Sequence, residues 1–122
     1  MQGSLPLLRA LESGEKEAAL LLLGKGAERD RRSSAGNTAL MLASQGGLLE
    51  VVRALSARGA SADLRNQQGD TALILASAAG HGEIVKARLE VGADRGLRNK
   101  RRQTPVDIAT ASGHSAVVEL LK

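Results

Sequence analysis

Residues 69–93 read GDTALILASAAGHGEIVKARLEVGA. Thr71 stands where a hydroxyl can accept from an orphan amide of a helix start, and Ala72, Leu73, Leu75 and Ala76 follow as an apolar stripe. Gly80 breaks that helix. His81-Gly82-Glu83 opens a second one, in which Ile84, Val85, Ala87 and Leu89 recur at helical spacing, and Gly92 fits the left-handed position just past its end. Each helix is about 8–10 residues, below the roughly 12–15 that persist alone in water. Neither helix can stand without a neighbour to bury its apolar side.

The neighbours are in the same chain. Thr38, Thr71 and Thr104 are separated by 33 residues, as are Gly26-Ala27, Gly59-Ala60 and Gly92-Ala93. The same step links Gly14, Gly47, Gly80 and Gly113, the alanines Ala10, Ala43, Ala76 and Ala109, and Leu7, Leu40, Leu73 and Val106. It also links Gly3, Gly36 and Gly69, followed by Arg102. Residues 33–65 and 66–98 are identical at 15 of 33 positions. The expected organisation is one domain over 1–122, in units 1–32, 33–65, 66–98 and 99–122, the first opened by Gly3 and the last closed by Leu121 at the end of its second helix.

Composition agrees with stacked thin layers. The 122 residues include no Phe, Tyr or Trp, and the 43% hydrophobic content comes from aliphatic side chains and two Met. A thick single core normally needs rings, each burying about 150–250 Å². Sandwiches, barrels and large-pocket enzymes are therefore disfavoured. Alanine-rich helices approach closely and need no such filler. Zero Cys excludes disulfides and thiolate metal sites. The N-terminus has no signal-peptide pattern and no leucine run can span a bilayer, so an intracellular, cytoplasmic protein away from membranes is expected.

With the columns laid out, the chain resembles the ankyrin-repeat family. The residues that carry the likeness are Gly69, Thr71, Leu73, Ala76, Gly80-His81, Ile84-Val85, Leu89 and Gly92-Ala93 in one unit, and Thr104-Pro105-Val106, Ala109, Gly113-His114 and Val117-Val118 in the next. The resemblance implies an all-α solenoid of helix-turn-helix units with β-turn or hairpin fingers projecting from one side and first helices lining a concave face. Three departures bear on the structure. Met41, Ile74 and Asp107 replace the family's usual His after Thr-Pro-Leu, so the bond from that His to the threonine is expected to be missing from the middle units. Arg102 occupies a glycine column, at a cost on the order of 1 kcal/mol, and a distorted third finger is expected. Arg88 falls in the column of Leu22, Leu55 and Leu121, so either its stem snorkels to the surface or Leu89 takes its place. Arg9, in the column of Leu42, Leu75 and Ile108, makes the first unit polar, as a cap should be.

No residue pattern supports catalysis, a cofactor or a metal. His81 and His114 lie 33 apart in one repeat column and read as structural, their rings bonding a turn or helix start. The 14 glycines follow the repeat and form no phosphate-binding loop, and no nucleophile elbow occurs. Asp107 reads as a local hydrogen-bonding partner near Thr104. Of 17 basic residues, Arg29, Arg31, Arg32, Arg65, Arg95, Arg98, Lys100, Arg101 and Arg102 lie in the polar segments between units. Between Arg95 and Arg102 there are five basic residues and no acidic one, although the net charge is only +4. The expectation is a monomeric, non-catalytic module that binds a protein bearing acidic groups. Its contact residues are Arg32, Ser34, Ala35, Asn37 and Gln45, then Arg65, Gln67, Gln68 and Asp70, then Arg98, Lys100, Arg101 and Gln103. Arginine forks suit carboxylates, and amides suit a partner backbone. Two alternatives stand beside it: nucleic acid or another polyanion held by the basic fingers, disfavoured by the lack of stacking rings, and an engineered or structural scaffold with no partner of its own.

Overall fold

The computed structural model describes residues 6–26 and 31–122, and among them eight helices and no strand. Gly3, Ala27 and Arg29 lie outside the described residues. The helices are α1 (Pro6–Glu12), α2 (Lys16–Gly24), α3 (Ala39–Gln45), α4 (Leu49–Ala57), α5 (Ala72–Ala79), α6 (Gly82–Glu90), α7 (Pro105–Ala111) and α8 (Ser115–Leu121). Each odd-numbered helix folds back on the next even one. The odd helices pack in succession as one layer and the even helices as a second.

The seam between pairs is built from small residues. Ala10, Ala43, Ala76 and Ala109 are all buried, and so are Leu7, Leu40 and Leu73. In the second layer Val51, Val52, Ile84, Val85 and Val117 do the same. The middle helix α5, clamped between α3 and α7, is buried at every position from Ala72 to Ser77. An all-round apolar helix of this kind exists only as an interior element.

Thr38, Thr71 and Thr104 cap α3, α5 and α7, their hydroxyls accepting from the amides of Met41, Ile74 and Asp107. The reciprocal bond expected to be lost from the middle units survives at Thr38, and the local bonding expected of Asp107 near Thr104 is present. The Thr104 amide donates to Asp107 Oδ2 at 3.0 Å, and the Thr38 amide donates to the Met41 thioether at 3.4 Å. Only Ile74 has no acceptor to offer. The two Thr104 bonds, assisted by Arg98, hold the Asp107 carboxyl below its ordinary pKa.

His81 and His114 tie neighbouring pairs together. Nε2 of His81 lies 3.0 Å from the Gln45 carbonyl and Nε2 of His114 lies 3.0 Å from the Ala78 carbonyl. A carbonyl can only accept, so both rings carry a proton on Nε2. Each ring lies against a glycine of the preceding pair: a Cβ at Gly47 would sit 2.9 Å from the His81 ring, and one at Gly80 would sit 2.7 Å from His114. The partner is thus the end of the previous pair's first helix rather than a turn or helix start of its own unit. At the first seam Leu48 stands in the histidine column, and there an exposed ion pair, Lys16 Nζ to Glu50 at 2.7 Å, bridges α2 to α4.

Arg88 follows neither expected course. It does not snorkel and is not replaced by Leu89, which is half-buried. Arg88 is 1% exposed, with Nη2 donating to Ser56 Oγ at 3.1 Å and with Nε and Nη1 unpartnered. Burial pushes its pKa down, the charge of Asp63 only partly opposing this, yet a guanidinium does not deprotonate in a protein. A charge so placed is a net cost. Arg88→Leu is expected to raise stability by about 1–3 kcal/mol, which thermal melts would read as a midpoint increase of about 3–10 °C. Ser56 is not orphaned by the change, because its hydroxyl already donates to the Val52 carbonyl. A lower midpoint would show that the guanidinium finds full partners in solution.

Candidate partner-binding face

Three fingers, residues 33–37, 66–70 and 99–103, precede α3, α5 and α7. Each is closed by the same pair of backbone bonds. In the second, the Asn66 amide donates to the Asp70 carbonyl and the Gly69 amide to the Asn66 carbonyl, at 3.0 and 2.9 Å. In the third, the Asn99 amide donates to the Gln103 carbonyl and the Arg102 amide to the Asn99 carbonyl, at 3.0 and 2.9 Å. Arg102 does adopt φ 63°. The third finger is nevertheless undistorted.

The tolerance of Arg102 has a steric reason. A Cβ at Gly36 would come within 3.1 Å of the Gln67 amide nitrogen, and a Cβ at Gly69 within 3.0 Å of that of Lys100. There the next finger lies against the glycine. Among the described residues no finger follows the third, so at Arg102 only the backbone strain remains. Arg102→Gly is expected to gain about 0.5–1 kcal/mol in urea denaturation, less than the full left-handed strain because glycine also loosens the unfolded chain.

Consecutive fingers are stitched to one another. The Gln67 amide donates to the Ala35 carbonyl at 3.2 Å and the Lys100 amide to the Gln68 carbonyl at 2.9 Å. Side chains add a second line: Asn66 Nδ2 to Asn37 Oδ1 at 2.8 Å, Asn99 Nδ2 to Asp70 Oδ1 at 2.9 Å, and Gln67 Nε2 to the Ser34 carbonyl at 2.9 Å. Asn99 is the busiest of these. Its Oδ1 also accepts from the amides of Arg101 and Gln103, and its Nδ2 reaches Gln103 Oε1. Asn66 accepts likewise from the amides of Gln68 and Asp70. Neither asparagine was singled out in the sequence, although Ser33, Asn66 and Asn99 are spaced by 33 and all belong to the turn-forming class. Asn99→Ala is expected to cost about 2–3 kcal/mol by leaving two finger amides and Asp70 without their partner, read as a lower urea midpoint.

The proposed contact residues divide by what they already hold. Arg32 donates to the carbonyls of Gly36 and Arg65, at 3.1 and 2.6 Å, and Arg98 to that of Arg102 at 3.0 Å, beside Asp107. Asn37, Gln67, Asp70 and Gln103 are similarly engaged. Arg65, Gln68, Lys100 and Arg101 are exposed, and their side chains have no partner among the described residues. Ser34 is exposed and Ala35 half-buried. Gln45 sits at the far end of α3, about 10 Å along the helix axis from the first finger.

A groove of about 400 Å³ runs between the second and third fingers. Gln67, Gln68, Asp70, Lys100, Arg101 and Gln103 line it, with Asn99 behind them and Ile108 of α7 as an apolar floor. Ile108 was not among the expected residues; its column shows it only as an aliphatic of a first helix. Among the described residues no group of three His, Asp or Glu could hold a metal ion, and no helix is long and apolar enough to cross a membrane.

Helix pairs repeating every 33 residues, with stitched fingers on one edge, are matched by two family models. One, for ankyrin repeats in three copies, covers residues 54–122, and another, for ankyrin repeats in many copies, covers residues 20–76. The chain belongs to the ankyrin-repeat family. No curated protein matches it. Ankyrin repeats generally serve as protein–protein interaction modules, and ankyrin domains are typically non-catalytic.

Proposed function

We propose that this ankyrin array binds a partner protein along the edge formed by its fingers and first helices, and that the groove between the second and third fingers takes a carboxylate-bearing segment of that partner. The observation that carries the reading is the juxtaposition, in one groove, of unpaired Lys100, Arg101 and Gln68 with the apolar floor of Ile108. Lys100 and Arg101 offer charge-assisted bonds to the carboxylate, and Gln68 offers both a donor and an acceptor to an extended backbone. Asp70 on the opposite wall, already receiving Asn99 Nδ2, repels a second negative group and so favours seating toward the third finger. A single domain covering 1–122, acting as a monomer, fits this use.

Lys100 and Arg101 separate recognition from folding better than Arg98 does, because Arg98 is bound to its own finger. Peptide ligands selected on the natural chain are expected to lose at least about tenfold in affinity for Lys100→Ala/Arg101→Ala, equivalent to about 1.4 kcal/mol, while the melting midpoint stays in place. Binding should also weaken with added salt, since the pair is exposed. Unchanged affinity of the double variant for every selected ligand would remove the groove assignment. Binding of mixed-sequence single-stranded DNA at low salt, lost in the same variant, would instead support a polyanion site.

A further inference from the structure

Two hydroxyls follow an arginine pair with one residue between: Ser34 after Arg31-Arg32-Ser33, and Thr104 after Arg101-Arg102-Gln103. They belong to different repeat columns, Ser34 with Gln67 and Lys100, Thr104 with Thr38 and Thr71, so the 33-residue period does not account for the shared pattern. The structure sorts them. Thr104 Oγ1 accepts from the Asp107 amide at the head of α7, and the buried Pro105 follows it. A group added there would destroy a helix cap. Ser34 is exposed at the tip of the first finger, inside the turn closed by the Gly36 amide on the Ser33 carbonyl at 2.9 Å. Its carbonyl accepts from Gln67 Nε2, while its hydroxyl has no partner among the described residues.

The other serines preceded by arginine are less suited. Ser33 is half-buried, its Oγ accepts from the Asn37 amide at 3.2 Å, and Asp30 stands three residues before it. Ser56 and Ser61 follow a single arginine each, Arg53 and Arg58, and the Ser56 hydroxyl is held by the Val52 carbonyl and Arg88. Among the described residues, Ser34 alone joins an arginine pair to an exposed, unbonded hydroxyl.

Arginines two and three positions before a hydroxyl suit a protein kinase whose cleft carries carboxylates, because each guanidinium takes a carboxylate through paired charge-assisted bonds and so sets where the hydroxyl lies. We propose that Ser34 is a phosphorylation site for an arginine-directed serine kinase, with a magnesium-bound nucleoside triphosphate as donor. Ser34 Oγ forms a bond to the γ-phosphorus while the bond from that phosphorus to the β–γ bridging oxygen breaks. The electron pair of the broken bond leaves with the nucleoside diphosphate, and the hydroxyl proton passes to a carboxylate of the kinase. Arg32 must release the Gly36 and Arg65 carbonyls to be gripped, and both of these bonds are exposed.

The phosphoryl group adds about −1.5 to −2 charge at pH 7, which cancels Arg31 and Arg32, the two charged residues of 31–37. An acidic partner segment that reaches the first finger therefore loses its attraction there. Lys100 lies two pair spacings away, about 16–20 Å, beyond a Debye length of about 8 Å, so the site does not rest on the groove reading.

The test incubates the folded natural chain with magnesium ATP and a purified arginine-directed serine/threonine kinase, and reads the product by intact mass and fragment sequencing. One phosphoryl group on Ser34 is expected. Ser34→Ala and Arg31→Ala are each expected to lower the initial rate at least about tenfold, the size of a lost charge-assisted contact, and Ser33→Ala is not. Arg31→Ala leaves the Arg32 brace in place, and an unchanged melting midpoint separates lost recognition from a loosened finger. No transfer to the folded chain, transfer mainly to Ser33 or Thr104, or a rate unmoved by Arg31→Ala would overturn the proposal. Ligands that depend on Lys100 and Arg101 alone are expected to bind the phosphorylated chain within about twofold of the unmodified one, and a larger loss would overturn the confinement of the effect to the first finger.

Discussion

Close approach of neighbouring first helices at Ala10, Ala43, Ala76 and Ala109 is the constraint on which the rest of this molecule depends. Helices of 7–9 residues have no independent stability, so their existence is a property of the seam and not of any helix. Small side chains set the spacing of the pairs, and the spacing in turn brings one finger within backbone hydrogen-bonding distance of the next. A bulky ring in this layer would push the pairs apart and break the Lys100–Gln68 and Gln67–Ala35 stitches together. The absence of aromatic residues is therefore tied to finger geometry as well as to core volume.

The architecture was legible in the sequence because period and residue type agree at every level: threonine caps, alanine seams, and glycine where the backbone turns left-handed. What escaped the sequence is what depends on the far side of a seam. Arg88 reads as a snorkelling stem or a place ceded to Leu89, but the guanidinium stays inside against Ser56 of α4. Arg102 reads as a distortion by local preference, while the missing steric neighbour makes it merely strained. Met41 reads as a lost tie, although its thioether accepts from the Thr38 amide, whereas Asp107 bonds Thr104 as its place in the sequence suggests. Of the basic finger residues, composition could not separate the arginines that brace their own turns, Arg32 and Arg98, from the pair that stays open, Lys100 and Arg101.

That separation matters for how the fold and its recognition relate. The stitches between fingers run largely through amides, carbonyls and the asparagines at 66 and 99. Side chains at 68, 100 and 101 take no part in them. Charge at the groove can therefore change without disturbing the frame that presents it, which is the situation in which a loop surface carries specificity on a rigid scaffold. The guanidinium of Arg88 lies on the opposite helix layer and has no bearing on this edge.

The seams themselves are unequal. Between α3/α4 and α5/α6, and again between α5/α6 and α7/α8, a half-buried ring and its carbonyl bond tie the pairs. Between the first two pairs Leu48 makes no such lock, and the exposed Lys16–Glu50 bridge in its place is worth little once screened by salt. An array coupled mainly by nearest neighbours opens where its weakest junction lies. Among the described residues the leading helix pair is thus joined without a ring tie, and added salt weakens the exposed bridge that stands in its place.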